Sequence, residues 1–329
     1  RSVSRGLGDV YKRQGYIGSH AALSLLDAGH NVHIIDDLST GNESLIPKNA
    51  IFTKCNINDE EVISELIKSN SFDLLMHFAG FIQVEESVKY PQKYFDNNTE
   101  NATKLFETCK KNGLNKIVFS STAAAYGSVS ENKLIDEKAN LNPQNPYAES
   151  KIKTENFLFE NKHDYKFIIL RYFNVAGADK KLRSGQISKR STHLIKILSE
   201  VVVGKRDHIE IFGNDYNTPD GTAIRDYIHV SDLADIHLEV AKYLLENSES
   251  NLFNCGYGNG FSVLDVINTA NKISGDKIDY KFSNRRDGDV EQLIADTSKI
   301  LKHIDWRPKY NDLSEIINSS IKWEEKIYE

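Results

Sequence analysis

Short apolar runs alternate with longer amphipathic stretches through the first half of the chain. Residues 31–36, 72–78, 116–120 and 167–171 are brief and rich in β-branched or aromatic side chains, which predicts strands of a parallel sheet. Between them, residues 19–28, 60–69, 94–111 and 147–160 have helical length and the size of βαβ crossovers. The pattern predicts an α/β protein with a doubly wound, parallel, Rossmann-like sheet. Beyond residue 174 it loosens, with glycine and polar loops around 177–191 and 213–221, as expected for a smaller α/β C-terminal lobe. The expected division is a sheet domain at 1–174 plus 228–256 and a lobe at 175–227 plus 257–329.

At 329 residues, 40% of them hydrophobic, the chain can bury a large core. A net charge of -6 with mixed signs argues against nucleic acid or an anionic membrane as the main partner. Three widely spaced cysteines (Cys55, Cys109, Cys255) form no Cys-x-x-Cys pair, so neither a disulfide framework nor a metal site is expected, and a cytoplasmic location is. No apolar stretch approaches the roughly 20 residues needed to span a bilayer.

Two motifs carry chemistry. Gly15-Tyr16-Ile17-Gly18-Ser19-His20 opens a helix, and its two glycines let backbone approach a pyrophosphate at the helix N-terminus. Asp36 ends the next strand, where a carboxylate accepts bonds from both ribose hydroxyls and repels a 2′-phosphate, favouring NAD over NADP. Upstream the pattern breaks. Residues 1–14 lack an apolar first strand, and Lys12 stands where a third glycine belongs, so we read this segment as a non-native replacement. A genuine divergent terminus is the alternative.

The second motif is Tyr147-Ala148-Glu149-Ser150-Lys151, 25 residues after Thr122. Spacing of four puts Tyr147 and Lys151 on one helix face, and a nearby ammonium lowers a phenol's pKa. A tyrosine so tuned can take a proton from a substrate hydroxyl that Thr122 also holds. Tyr-x-x-x-Lys alone is a weak signal. It gains weight because Thr122 falls at the carboxyl end of a predicted strand, where open α/β sheets bind ligands.

From about Gly15 onward the chain resembles the extended short-chain dehydrogenase/reductase superfamily, and within it the UDP-sugar 4-epimerases. The resemblance rests on the two motifs together with His77-Phe78-Ala79-Gly80, Asn97-Asn98, Arg171-Tyr172-Phe173-Asn174, residues 211–216 and residues 221–230. It implies a tightly held NAD contacted by Tyr16, Ile17, Asp36, Asn56, Ile57, Phe78, Ala79, Gly80, Asn97, Lys151 and Phe173, with Asn56 replacing the usual Asp near the adenine. It further implies interconversion of UDP-glucose and UDP-galactose through a 4-keto sugar, with Tyr147 as base, Thr122 holding the 4-hydroxyl and Lys151 assisting. The UDP pocket so implied comprises Asn174, Leu194, Phe212, Arg225 and Arg286, with both arginines on the pyrophosphate, while Leu293 bears on whether N-acetylated sugars enter. His193 is expected to line this pocket as a donor. Helices at 94–111 and 147–160 would pair two copies into a homodimer.

Sister activities are weighed on residues. Dehydratases resembling this chain carry Asp-Glu immediately after the threonine, and here those positions are Ala123 and Ala124, which also disfavours decarboxylation. Asp36 disfavours an NADPH reductase. A UDP-N-acetylglucosamine 4-epimerase, another nucleotide-sugar dehydrogenase, or a nucleotide-binding protein silenced by its altered N-terminus complete the alternatives.

Overall fold

The computed structural model describes residues 5–9, as backbone only, and residues 15–39, 41–127, 134–187, 191–286 and 288–328. Along the chain run β1 (Arg5–Asp9), α1 (Tyr16–Asp27), β2 (Asn31–Asp36), β3 (Ile51–Lys54), α2 (Glu60–Ser69), β4 (Leu74–His77), α3 (Val84–Lys89) and α4 (Pro91–Phe95). A π-helical turn, Asp96–Glu100, leads into α5 (Asn101–Lys111), β5 (Lys116–Thr122), α6 (Pro146–Glu160) and β6 (Lys166–Tyr172). The remainder is β7 (Asn174–Ala176), α7 (Leu194–Val202), β8 (Ile209–Phe212), β9 (Ile224–His229), α8 (Val230–Asn247), β10 (Asn251–Cys255), β11 (Gly260–Ser262), α9 (Val263–Ser274), β12 (Tyr280–Ser283), β13 (Gln292–Leu293), α10 (Ser298–His303) and α11 (Leu313–Tyr328).

Seven strands form one sheet in the order β10-β6-β5-β4-β1-β2-β3, parallel at every pairing. Alternate residues of its central strands feed two cores, because side chains on a strand point to opposite faces. Val118, Ile168 and Leu170 join α1 and α8 residues such as Leu25, Leu233 and Val240. Ile117, Phe119, Phe167 and Ile169 join Ile63, Leu105, Phe106 and Leu158 of α2, α5 and α6. The doubly wound expectation is met. Smaller sheets lie beyond the carboxyl ends: β9 pairs with β7, β11 and β13, and β8 pairs with β12.

The structure departs from the sequence reading at three places. The backbone of Arg5–Asp9 fills the central position between β4 and β2, with Gly6 and Gly8 opposite Val32 and Ile34, so the sheet has no gap there. Lys12 and the other residues of 1–4 and 10–14 lie outside the described residues. The stretch at 94–111 is not one regular helix: the π turn accepts an N–H from Asn101 at Asp96 O, and Thr154 Oγ1 donates to Asn98 O at 2.8 Å. Strands of two to four residues, such as β7, β11 and β13, are too short to show a period.

Candidate active site

A cavity of about 780 Å³ opens along the carboxyl ends of the sheet. At one end, Gly15, Tyr16, Ile17 and Gly18 line it at the start of α1. Gly15 is the N-cap in the left-handed region (φ 63°) and makes no side-chain cap bond, which leaves first-turn N–H groups for an anion. The Tyr16 ring is buried, and its hydroxyl donates to Gly177 O at 2.6 Å, so its backbone is what it offers to a ligand.

The chemistry sits on β5 and α6. Asn145 caps α6 by accepting the Ala148 N–H at 2.9 Å, with Pro146 at the first helical position, so Tyr147 enters the helix at a fixed angle. Thr122 ends β5 and caps the short 3₁₀ turn that follows, its Oγ1 accepting the Ala124 N–H at 3.1 Å. Its own O–H is therefore able to donate elsewhere. Gly127 closes that turn at φ 60°, and a Cβ there would fall 1.9 Å from Asn142 O. Thr122, Tyr147 and Lys151 all line the cavity.

Lys151 is buried, and its Nζ donates to Ser120 O at 2.9 Å and Ala79 O at 3.4 Å. Burial pushes its pKa down to about 7, against the pull of the Glu155 carboxylate. A Cβ on Gly80 would come within 3.1 Å of Nζ, so the backbone beside the lysine stays bare. Asn98 locks this corner: Oδ1 accepts the Phe81 N–H at 2.7 Å, and Nδ2 donates to Phe81 O and to Ser150 Oγ.

Asp36, Asn56, Ile57, Ala79, Gly80 and Asn97 do not line the cavity. Asp36 stands buried at the end of β2 with Oδ1 accepting the Leu38 N–H at 2.7 Å, and a Cβ on Gly41 would come within 3.1 Å of both its oxygens. Asn56 donates to Asp37 Oδ2 at 3.0 Å, and Ile57 is buried against the sheet. A bare helix N-terminus, a strand-end carboxylate and glycines where side chains would intrude fit NAD along this edge.

At the far end lie Phe173, Asn174, Leu194, Arg225, Arg286 and Leu293. Phe173 and Leu293 are buried together with Ala123 and Tyr126. Arg225 Nη2 pairs with Asp289 Oδ1 at 2.5 Å, although Asp289 lies nearer to Arg286 along the chain. Arg286 stacks on Phe212 instead, 3.7 Å from the ring centroid, and its Nε is buried without a hydrogen-bond partner among the described residues. Phe212 thus supports the arginine from outside the cavity wall. His193 lines the cavity at the start of α7 with Nδ1 3.4 Å from Gln186 Nε2.

Sequence reasoning missed a buried ion pair beneath the site. Glu155 accepts from Arg171 Nε at 3.0 Å and Nη2 at 2.5 Å, and from Ser121 Oγ at 2.5 Å. Two signals were available: Glu155 falls one turn after Lys151, and Arg171 is a charge in an otherwise apolar strand that demands a partner. Among the described residues no cluster of His, Cys, Asp and Glu is suited to a metal, and no helix is long and apolar enough to cross a membrane.

Residues 13–256 match the family described as the NAD dependent epimerase/dehydratase family. The chain is 44% identical over 95% of its length to a UDP-glucose 4-epimerase of Azospirillum brasilense, covering 90% of that protein. A structure of the UDP-glucose 4-epimerase of Bifidobacterium longum with NAD+ and UDP is 33% identical at TM-score 0.90, covering 97% of this chain and 98% of that one. The UDP-Glc/GlcNAc 4-epimerase of Campylobacter jejuni is 42% identical at TM-score 0.83, covering 98% and 99%. Its cavity built by β5, α6 and the start of α1, together with these likenesses over nearly its whole length, places the chain in the NAD dependent epimerase/dehydratase family.

Proposed function

We propose that this chain interconverts UDP-glucose and UDP-galactose by inverting the sugar at C4. The observation that carries the reading is one cavity holding Thr122, Tyr147 and Lys151 between a bare helix N-terminus and two arginines. Tyr147 takes the proton of the 4-hydroxyl, and the Thr122 O–H orients that oxygen by donating to it. Lys151 shares a helix face with Tyr147 and favours its phenolate whenever the amine is charged. Reversible acceptance of hydride from C4 is the chemistry NAD supplies when bound. Gly15, Tyr16, Ile17, Gly18, Asp36, Asn56, Ile57, Phe78, Ala79, Gly80, Asn97, Lys151 and Phe173 would hold it.

Inversion requires that both faces of the hexose be presented in turn to one site. Binding must then reside in the UDP part, for which Asn174, Leu194, Phe212, Arg225 and Arg286 are placed, and the hexose end must leave room to turn. A cavity of about 780 Å³ meets that need. Ala123 and Ala124 offer no carboxylate beside Thr122, which supports inversion over water elimination. Residues 1–174 plus 228–256 would serve as the NAD-binding domain and 175–227 plus 257–329 as the UDP-sugar lobe. Cytoplasmic residence accords with the three widely spaced cysteines, and pairing into a homodimer through residues 94–111 and 147–160 with the exposed Phe159 of α6. The test is conversion of UDP-galactose to UDP-glucose by the purified protein with no NAD added; absence of conversion in protein that carries NAD would refute the reading.

A further inference from the structure

The mechanism uses Thr122, Tyr147 and Lys151 and leaves the ion pair beneath them without a task. Glu155 is 1% exposed and Arg171 3%. Burying two charges is costly, and a pair of this kind is weak support for stability because apolar residues would often serve as well. Its placement suggests another use. Glu155 lies one turn beyond Lys151 on α6, and its Oε1 also accepts the Ser121 hydroxyl, next to Thr122 on β5. Lys151 Nζ donates to Ser120 O on the same strand. Helix and strand are thus tied twice, at Ser120 and at Ser121, the two residues before the threonine.

We propose that Glu155, held in place by Arg171 and Ser121, is a positioning residue that keeps the proton on Lys151 and so sets the acidity of Tyr147. The inference deepens the functional reading above and rests on it for the role of Tyr147. The groups facing Lys151 can be named element by element. On α6 they are Tyr147 and Glu155, the latter backed by Arg171 of β6; on β4, His77, which burial and the Lys151 charge hold neutral; on β6, Tyr172, which lines the cavity with the lysine. From β5 come the Ser120 carbonyl and the Phe119 ring, 4.9 Å from Nζ, and from the segment after β4 the Ala79 carbonyl. Glu155 is the one carboxylate in that set. Arg171, its partner, fixes the carboxylate by two N–H bonds, the arrangement that best resists rotation.

The sign follows directly. Removing the Glu155 charge makes the ammonium costlier in this buried site, so Lys151 loses its proton at lower pH. A neutral amine no longer favours phenolate, so Tyr147 ionises at higher pH. In Glu155→Gln, ultraviolet titration of tyrosinate, taken as the difference from the same protein carrying Tyr147→Phe, is expected to shift upward by about one unit, a tenfold change in the ionisation constant. The alkaline limb of kcat for epimerisation moves to lower pH, KM stays near the parent value, and Glu155→Asp restores both curves. If Glu155→Gln does not fold, the charge-free pair Glu155→Met with Arg171→Met reads shifts of the same sign but smaller, because a cation leaves with the carboxylate. A lowered thermal midpoint with an unmoved Tyr147 titration and an unmoved limb would assign the pair to structure alone and overturn the proposal. The titration needs no substrate, so inactivity of the parent towards UDP-galactose would sink the functional reading and leave this inference to the titration.

Discussion

At the end of the cavity beneath β4 and β5, the polar side chains around Tyr147 are tied to backbone: Lys151 to Ser120 and Ala79, Thr122 to Ala124, Asn98 to Phe81. At the end beneath β9, Arg225 leans on the partly exposed Asp289 and Arg286 lies on a ring with a bare Nε. The first end is organised before anything binds. The second holds one arginine that can exchange Asp289 for another anion and one with an N–H still to give. An enzyme that must fix the reacting atoms yet let a sugar turn needs both, and the division falls between the large sheet and the β9 sheet.

The contrast is most simply broken at Tyr147. Phenylalanine there is expected to lower kcat by about 10²–10⁴-fold while NAD co-purifies as before, which steady-state kinetics and the absorbance of the denatured protein would check. At the other end, Arg286→Ala should act on binding instead: KM for the UDP-sugar rises by roughly 30–100-fold, about 2–3 kcal/mol, with kcat nearly held. A kcat loss as large as that of Tyr147→Phe would erase the distinction between the two ends.

Acid should separate them as well. Burial pushes His20 and His237 down to about 4 and His229 to about 3, and these lie on α1, on α8 and at the end of β9 where α8 begins. Because the unfolded chain binds those protons first, from about pH 6.5 downward, stability drains as pH falls toward about 4. Asp226 of β9, raised to about 6 by burial, works in the opposite sense, since its protonation favours the folded form. Retained NAD measured across that range should fall before the near-ultraviolet signal of the whole protein does. The smallest effect is expected from Asp289→Asn, which releases Arg225. Exposed pairs are worth about 0.2–1 kcal/mol, so KM should drop by a few-fold at most, and a rise would show that Asp289 orients the arginine.

The sequence was readable where periodicity and chemistry coincide. The apolar run Ile117-Val118-Phe119 announced β5, and Thr122, Tyr147 and Lys151 were singled out because their order and spacing suit a strand followed by a helix. Elsewhere a single residue had to choose among partners that only folding brings near. Asp289 lies three positions from Arg286 and 64 from Arg225, and it pairs with the distant one because β13 runs beside β9. Glu155 reads as an ordinary helix-surface charge until β6 delivers Arg171 beneath it. The strand β1 was not legible for another reason: Arg-Gly-Leu-Gly-Asp gives no strand signal of its own, and the pairing comes from the neighbouring strands β2 and β4.

The π turn at Asp96–Glu100 makes the register of this helical run a matter of counting. Each residue of a helix advances its azimuth by about 100°, so the one extra residue that a wider turn absorbs decides which way everything after it faces. Asn98 sits inside that turn with bonds to Phe81 and Ser150, while Leu105, Phe106 and Cys109 pack into the core from the helix beyond it. A deletion of a single residue here could keep one of those two commitments and would forfeit the other. The segment can therefore drift in composition far more freely than in length.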